Sequence, residues 1–204
     1  MRILALDIST TTGWALGNAG EMPRVGVERL RPERMKDAFG NPAKAIDKLN
    51  HATDHIAGFI RDICFIESDR PDLIIYEAAM APFEDNNSDD DNGGRKRTIR
   101  RSVESITLPI MATASVRAIA RCYGIQRELA WPATWRKHFL GRGNFGDREE
   151  TKRQTLLRCR LLKFPELAWR DDNAADACGI FSYASATFGR AAPRDLHLFG
   201  EGRA

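Results

Sequence analysis

The stretch Arg2–Leu16 reads RILALDISTTTGWAL. Its first part is a short apolar run that ends in a carboxylate at Asp7, and small polar residues and Gly13 follow. An apolar run bounded by turn signals is typical of a buried strand, and the return of apolar residues after the turn predicts a hairpin. An acid at the inner end of a buried strand has two explanations. Asp7 accepts backbone N–H groups of the turn, or it holds a metal ion or binds near a phosphate.

The composition predicts a single globular domain. The chain has 204 residues, 43% hydrophobic and 29% charged, so it is long enough to bury a core. It lacks both a run of about 18 uncharged apolar residues and a signal-peptide pattern, so we expect a cytoplasmic protein that does not associate with membranes. The four cysteines are widely spaced, with no C-x-x-C pair, which favours reduced thiols over a disulfide framework or a zinc site.

Hydrophobic periodicity predicts the order of the remaining elements. The predicted elements are a strand at Arg24–Leu30, a helix over 43–67, a strand at Leu73–Tyr76, a helix over Ile99–Cys122 that Pro109 kinks or breaks, a strand at Ile125–Ala130, and a last helix from Asp171 or Asp172 to Phe188. We expect one domain of residues 1–189 with a charged loop at 82–98, followed by a flexible tail at 190–204. This order indicates an α/β fold that begins with three antiparallel strands.

A basic segment precedes the last helix. Residues 134–163 contain nine Lys or Arg and three acids, and include the run WRKHFLGRGNFGDREETKR. This run predicts a short helix, a Gly-rich turn and a helix that begins near Asp147. A Gly-rich turn flanked by cations is suited to phosphate contacts, although a basic helix face is often only solvated.

Acids end two predicted central strands and begin the last helix. Asp7 and Glu77 end the strands, whereas Asp172 and Asp176 are four residues apart and share one helix face. The first acids of that helix could equally cap its N-terminus. Four acids gathered together repel one another unless a cation compensates them. Two divalent ions about 3.5–4 Å apart, held by carboxylates, are the usual arrangement for attack on phosphodiesters. Oxygen ligands favour Mg²⁺ or Mn²⁺.

These motifs resemble those of the RuvC-type Holliday-junction resolvases of the ribonuclease H-like superfamily, in their phage or prophage form. The resemblance spans roughly Met1 to Phe188. LALDIST carries the acid of the first strand, IIYEAAM carries that of the fourth, and NAADA at 173–177 matches a helical D-A-A-D-A-like motif. GRGNFGDREETKR matches the family's basic turn and puts Lys152 at its basic active-site position.

The resemblance implies a ribonuclease H-like fold with a mixed five-stranded sheet, three antiparallel strands and then two parallel ones, flanked by helices. It implies a metal-dependent endonuclease, in the cytoplasm of a bacterial host, that cuts branched DNA and above all four-way junctions. The implied catalytic residues include the acids and Lys152. This chain has Asn173 where the family has Asp or His as the first helical ligand, and we prefer Asp172 as its substitute. The expected ligands of two Mg²⁺ or Mn²⁺ ions are therefore Asp7, Glu77, Asp172, Asn173 and Asp176.

We expect branched DNA to be bound by the basic segment and by the loop after the fourth strand, where Phe83 either wedges between bases or folds back on the strand end. The expected DNA contacts are Met80, Phe83, Arg136, Lys137, Arg142, Arg148, Lys152 and Arg153. The resemblance also implies a homodimer. The apolar face of Ile99–Cys122 would pair its subunits, unless that face is buried within its own domain.

Three other functions are compatible with parts of the sequence. A flap or fork nuclease would use the same metal chemistry. A DNA-binding protein that has lost cleavage is supported only by Asn173. An actin-like sugar kinase or ATPase also carries Asp-x-(Gly/Ser)-Thr-Thr after a strand, but it needs a second domain for which 204 residues leave no room.

Overall fold

The computed structural model describes residues 1–30, 35–36, 39–78 and 103–189, with the backbone alone for 103–105. Three predicted features lie outside the described residues. They are the charged loop at 82–98, which includes Phe83, the nearby Met80, and the tail at 190–204. The elements are β1 Arg2–Asp7, β2 Thr11–Asn18, β3 Arg24–Arg29, α1 Ala45–Phe65, β4 Leu73–Glu77, α2 Val103–Cys122, β5 Gln126–Ala130, α3 Pro132–Leu140, α4 Arg148–Leu161 and α5 Asp172–Phe188. A 3₁₀ turn at Glu166–Trp169 precedes α5.

The described strands form one mixed sheet in the order β3-β2-β1-β4-β5. The first three strands are antiparallel, and β4 and β5 run parallel to β1, so the predicted sheet is confirmed. The apolar runs of β1 and β4 take the central positions, where both faces of a strand are covered. Because Leu6 is the register partner of Tyr76, the next residues, Asp7 and Glu77, end their strands side by side.

Helices cover both faces of the sheet. On one face α1 and α2 pack over β1, β2 and β4, and on the other face α3, α4 and α5 do so. The predicted face of α1 is buried at Leu49, Ala52, Ile56, Ile60 and Cys64, which follow the 3.6-residue period. None of the described helices combines the length and the apolar character needed to span a membrane.

Helix α2 runs through Pro109 without ending there, so of the predicted kink or break the break is wrong. Proline removes one helical hydrogen bond, but packing can hold a helix together across that gap. The described side chains of α2 supply this packing at Leu108, Ala112, Val116 and Ala120, which belong to the core shared with α1. The described part of this apolar face is therefore occupied within its own chain.

Helix α5 approaches β2 more closely than a side chain would permit. A Cβ atom added at Gly13 would lie 1.9 Å from the backbone oxygen of Asn173 and 2.2 Å from its carbonyl carbon. Gly13 is also the register partner of Asp7. The missing side chain thus allows the first turn of α5 to rest beside the strand end that carries Asp7.

We predict that Gly13→Ala destabilises the protein by about 1–3 kcal/mol, because the added methyl overlaps backbone atoms that cannot rotate away. Thermal unfolding should show a Tm lower by roughly 2–10 °C. Gly58→Ala is the matched control: Gly58 lies in α1 with open space around it, so alanine should raise stability slightly. Equal Tm values for Gly13→Ala and the parent protein would contradict the close approach.

Candidate active site

Asp7, Glu77 and Asp176 form one cluster at the C-terminal ends of β1 and β4, called here the carboxylate cluster. The first two end the parallel strands β1 and β4, and α5 carries the third. The charges of Glu77 and Asp176 both act on Asp7, and the charge of Glu77 acts on Asp176. Asp172, one turn earlier on α5, also acts on Asp7 and Asp176. The structure therefore brings together the four acids that the sequence singles out.

The carboxylate cluster is desolvated and repels itself. Burial, reinforced by the charges of Glu77 and Asp176, raises the pKa of Asp7 well above its usual range. Burial and the Glu77 charge raise the pKa of Asp176 to about 7. Burial also raises the pKa of Glu77, against the opposing effect of Arg136. The side chain of Glu77 nevertheless keeps 18% of its surface accessible, so a small solute can reach the cluster.

Two cations from the basic segment partly compensate these acids. The Arg136 Nη2 atom lies 3.6 Å from Glu77 Oε1, and the guanidinium lies over the Trp135 ring. The Lys152 Nζ atom lies 2.6 Å from Asp172 Oδ2. This hydrogen-bonded ion pair lowers the pKa of Asp172 and raises that of Lys152. Arg136 and Lys152 are therefore part of the candidate site rather than of the open surface.

Trp135 is a part of the site that sequence reasoning missed. Its ring is fully buried, and α5 accommodates it at Gly179, where an added Cβ would lie 2.5 Å from the ring. Its indole N–H lowers the pKa of Glu77, although among the described residues no acceptor meets full hydrogen-bond geometry. The adjacent pair Trp135-Arg136 was visible in the sequence, but no local pattern links it to β4.

Hydroxyl groups hold the turn after Asp7. The Ser9 hydroxyl donates to the Thr11 carbonyl at 2.8 Å, and the Thr12 hydroxyl donates to the Ser9 carbonyl at 3.0 Å. In the described part of the chain, no N–H of this turn donates to Asp7. The explanation of Asp7 as an acceptor that stabilises the turn is therefore not supported. Its carboxylate interacts instead with the charges of Glu77 and Asp176.

The polar residues at the N-terminus of α5 make different contacts. The Asp171 side chain accepts from the Ala174 N–H at 3.0 Å, so Asp171 is the cap. Asp172 is thereby left to pair with Lys152. The backbone carbonyl of Asn173 abuts Gly13. The positive end of the helix dipole also favours acids at this position.

The other cations expected to contact DNA lie on the surface around the Gly-rich turn. Arg142 lies over the ring of Phe145 at 4.7 Å. Arg153 is paired with Glu150 through two hydrogen bonds, which lower the pKa of Glu150 to about 2. Lys137 and Arg148 are exposed. Arg142, Lys137 and Arg148 thus form the open basic surface of this region.

The carboxylate oxygens of the cluster are of the chemical type that binds a hard divalent cation, although the side chains are not arranged around one. Three mutually repelling carboxylates with raised pKa values are the oxygen ligands that Mg²⁺ and Mn²⁺ prefer. Within residues 1–30, 35–36, 39–78 and 103–189, no three acids, histidines or cysteines already stand in coordination geometry. Rotation of these side chains would be needed to surround an ion.

No family model and no curated protein matches this sequence. Solved structures do match the fold, and two of them are of RuvC from Thermus thermophilus. RuvC itself gives a TM-score of 0.55, and RuvC in complex with a Holliday junction substrate gives 0.56. Each has 16% sequence identity and covers 91% of this chain and 93% of the RuvC chain. The chain therefore has a RuvC-like, ribonuclease H-like fold over most of its length, as the motifs predicted.

We predict that Asp176→Asn stabilises the metal-free protein above neutral pH. The pKa of Asp176 rises from 3.8 to about 7 on folding, so the folded state binds this proton more tightly than the unfolded state does. Stability is then lost as the pH rises from about 4 towards 7, and the loss is complete above 7. In EDTA at pH 8 we expect the variant to melt roughly 2–10 °C above the parent protein.

The control for this measurement is Asp62→Asn, which removes an acid that is 66% exposed on α1. It should leave the dependence of Tm on pH unchanged. A pH profile for Asp176→Asn that parallels the parent profile would mean that Asp176 is not desolvated.

Proposed function

We propose that this protein is a metal-dependent endonuclease that cuts branched DNA, above all four-way junctions. The carboxylate cluster is the observation that carries the proposal. It joins three desolvated acids from β1, β4 and α5 at one edge of a RuvC-like sheet. Acids whose pKa values are strongly raised and that lie in an accessible site are typical of functional centres. The Thermus thermophilus RuvC of the same fold is complexed with a Holliday junction substrate, which supports the substrate class.

The carboxylate cluster, together with the start of α5, would hold two Mg²⁺ or Mn²⁺ ions. When bound, the ions would supply an activated water as nucleophile and stabilise charge on the leaving oxygen. Asp172 is our preferred fourth ligand because its charge already acts on Asp7 and Asp176. Asn173 is the alternative, through its weaker amide oxygen.

Arg136 and Lys152 would bind the phosphate of the cleaved strand. Both are held next to carboxylates, at 3.6 Å from Glu77 and 2.6 Å from Asp172. The acid partner holds each cation in place at the site, where solvent would otherwise leave a long side chain free to move. When the acids are occupied by ions, these two side chains can turn to non-bridging phosphate oxygens and stabilise the negative charge that develops there. The buried Nε of Arg136, which has no partner among the described residues, is a further donor for this purpose.

The alternatives differ in how well the fold supports them. A flap or fork nuclease is the second candidate, since the same acids would serve it. A DNA-binding protein without cleavage would bind branched DNA and leave it uncut. The kinase function has less support, because the solved structures that the fold resembles are of RuvC and the likeness extends over 91% of this chain.

We also propose that the enzyme acts as a homodimer, because a junction has two strands to cut and one site cuts one strand. The described apolar face of α2 is engaged with α1, so pairing would have to use other parts of Ile99–Cys122, such as the half-exposed Ile110. Origin in a phage or prophage, and action in the cytoplasm of a bacterial host, stay predictions from the sequence motifs.

We predict that Asp7→Asn, Glu77→Gln and Asp176→Asn each abolish cleavage, because each removes an oxygen ligand charge. The assay combines purified protein, Mg²⁺, and labelled four-way, flap and linear duplex DNA. Parent protein should cut the four-way junction, and EDTA should stop it. Binding of the variants to the junction in EDTA should equal or slightly exceed that of the parent, since less negative charge faces the phosphates.

Asp62→Asn again serves as the control and should cut normally. Full cleavage by any variant of the carboxylate cluster would exclude the metal-site assignment. Preferred cleavage of the flap substrate would favour the second candidate, and binding without cleavage by the parent protein would favour the third.

We predict that charge reversal at Arg142 and Arg148 weakens junction binding and its dependence on salt. The slope of log affinity against log salt should fall by about 0.9 for each phosphate that the variant no longer neutralises. Fluorescence anisotropy with a labelled junction in EDTA measures both quantities. Arg61→Glu, at a 62% exposed position towards the C-terminal end of α1, is the control. An unchanged slope for the double variant would mean that the basic segment is only a solvated surface.

A further inference from the structure

A groove of about 320 Å³ borders β5 on the side of the sheet that faces α2. It is lined by Tyr76, Arg117, Arg127, Glu128, Leu129 and Trp131. Its place follows from the register, since Arg127 and Leu129 pair with Ile74 and Tyr76, whose side chains belong to the core under α1 and α2. The strand β5 is last in the order of the described sheet, so this edge is open in the part of the chain that the structure describes.

Trp131 lines the groove just after the C-terminal end of β5 and is unusually exposed. Its exposed fraction is 63%, whereas tryptophan is on average a highly buried residue. Its backbone is fixed, because Pro132 follows and the Trp131 carbonyl accepts from the N–H groups of Thr134 and Trp135 at 2.9 and 3.1 Å. A large flat side chain held on a rigid backbone in solvent has the properties of a stacking platform for a nucleobase.

The groove is connected to the carboxylate cluster through the ends of β4 and β5, since Tyr76 and Trp131 line the groove and Glu77 directly follows Tyr76. Ala130 is the register partner of Glu77, and its carbonyl accepts from the Ala78 N–H at 2.9 Å. Trp131 is the next residue, at the point where the chain crosses from β5 to α3. One helical turn later, Trp135 interacts with Glu77. A DNA strand that leaves the carboxylate cluster therefore only has to cross the edge of the sheet to reach Trp131.

The charges along the groove favour a phosphate chain. Arg127 lies in β5 and Trp131 directly follows that strand, four residues later, which is about 13 Å along an extended chain. The Arg127 guanidinium donates to the backbone carbonyl of Arg117 at 3.3 Å, and both arginines line the groove. Glu128, the acid among these lining residues, accepts a hydrogen bond from Gln126 at 3.1 Å. Two arginines against one engaged carboxylate leave the groove positive, as a bound polyanion requires.

We infer that this groove binds the unpaired strand next to the cleaved phosphodiester, with a base stacked on Trp131 and phosphates paired with Arg117 and Arg127. The inference rests on the proposed function for its substrate and adds the path that one strand takes beyond the site. An open β5 edge could instead accept a strand of another protein. The cationic lining and the position beside Glu77 favour DNA.

The test measures binding without cleavage, in EDTA, by anisotropy of two labelled oligomers of equal length. One is a thymine homo-oligomer and the other has an abasic backbone. Parent protein should bind the thymine oligomer more tightly. Trp131→Ala should weaken binding of the thymine oligomer about fivefold or more and leave abasic binding unchanged, because stacking needs a base. Trp131→Phe should retain part of the preference.

A double variant, Arg117→Gln with Arg127→Gln, should weaken binding of both oligomers. Its salt slope should be lower by about 0.7 for each phosphate that is no longer neutralised. Phe65→Ala and Arg61→Gln are the controls. They alter an exposed aromatic side chain and an exposed arginine towards the C-terminal end of α1, and should change nothing. Circular dichroism and Tm values check that each variant is folded.

Two outcomes would overturn the inference. One is unchanged preference for the thymine oligomer in Trp131→Ala. The other is that a groove variant binds DNA normally but differs from the parent protein in oligomeric state, as measured by light scattering. That result would make the groove a protein interface. Junction cleavage by the parent protein in Mg²⁺ separates this failure from that of the proposed function. If the parent cuts and Trp131→Ala binds normally, only the groove assignment fails.

Discussion

Mutual repulsion among buried acids is the constraint on which the rest of this structure depends. Burial raises the pKa values of Asp7, Glu77 and Asp176, and the charge of Glu77 raises those of Asp7 and Asp176 further, so folding must hold the three acids together against their own charges. Parallel pairing of β1 and β4 brings two of them side by side, and the close approach of α5 at Gly13 brings the third. The apolar packing of β1, β4 and α5 supplies the free energy that this arrangement costs.

The basic segment is organised around the same constraint. Helix α3 contributes Arg136 beside Glu77, and α4 contributes Lys152 beside Asp172, so each helix brings one cation to the edge of the sheet. Trp135 locks α3 onto α5 through Gly179, which fixes where Arg136 can stand. In the proposed nuclease, the same two cations would bind a phosphate once metal ions neutralise the acids. The same side chains would then compensate charge in the free protein and recognise DNA.

The two faces of the sheet serve different purposes. The α5 face carries the acids and their cations, and its core ties together α3, α4 and α5. The α2 face is an apolar layer in the part of the chain that the structure describes, and a cationic groove lined by Trp131 lies at its β5 edge. The carboxylate cluster and the groove are linked through β4, where Glu77 directly follows the groove-lining Tyr76.

Sequence by itself determined the strands, the opening hairpin, α1, α5 and the acids at the strand ends, because periodicity and turn residues are local signals. Only the tertiary structure decided that Asp171 is the cap, that Arg136 pairs with Glu77 and that α2 continues through Pro109. These outcomes depend on distances between segments far apart in the chain. The same holds for Gly13, which reads as a turn residue in sequence. It is required because the backbone of Asn173, 160 positions later, occupies the space of its missing side chain.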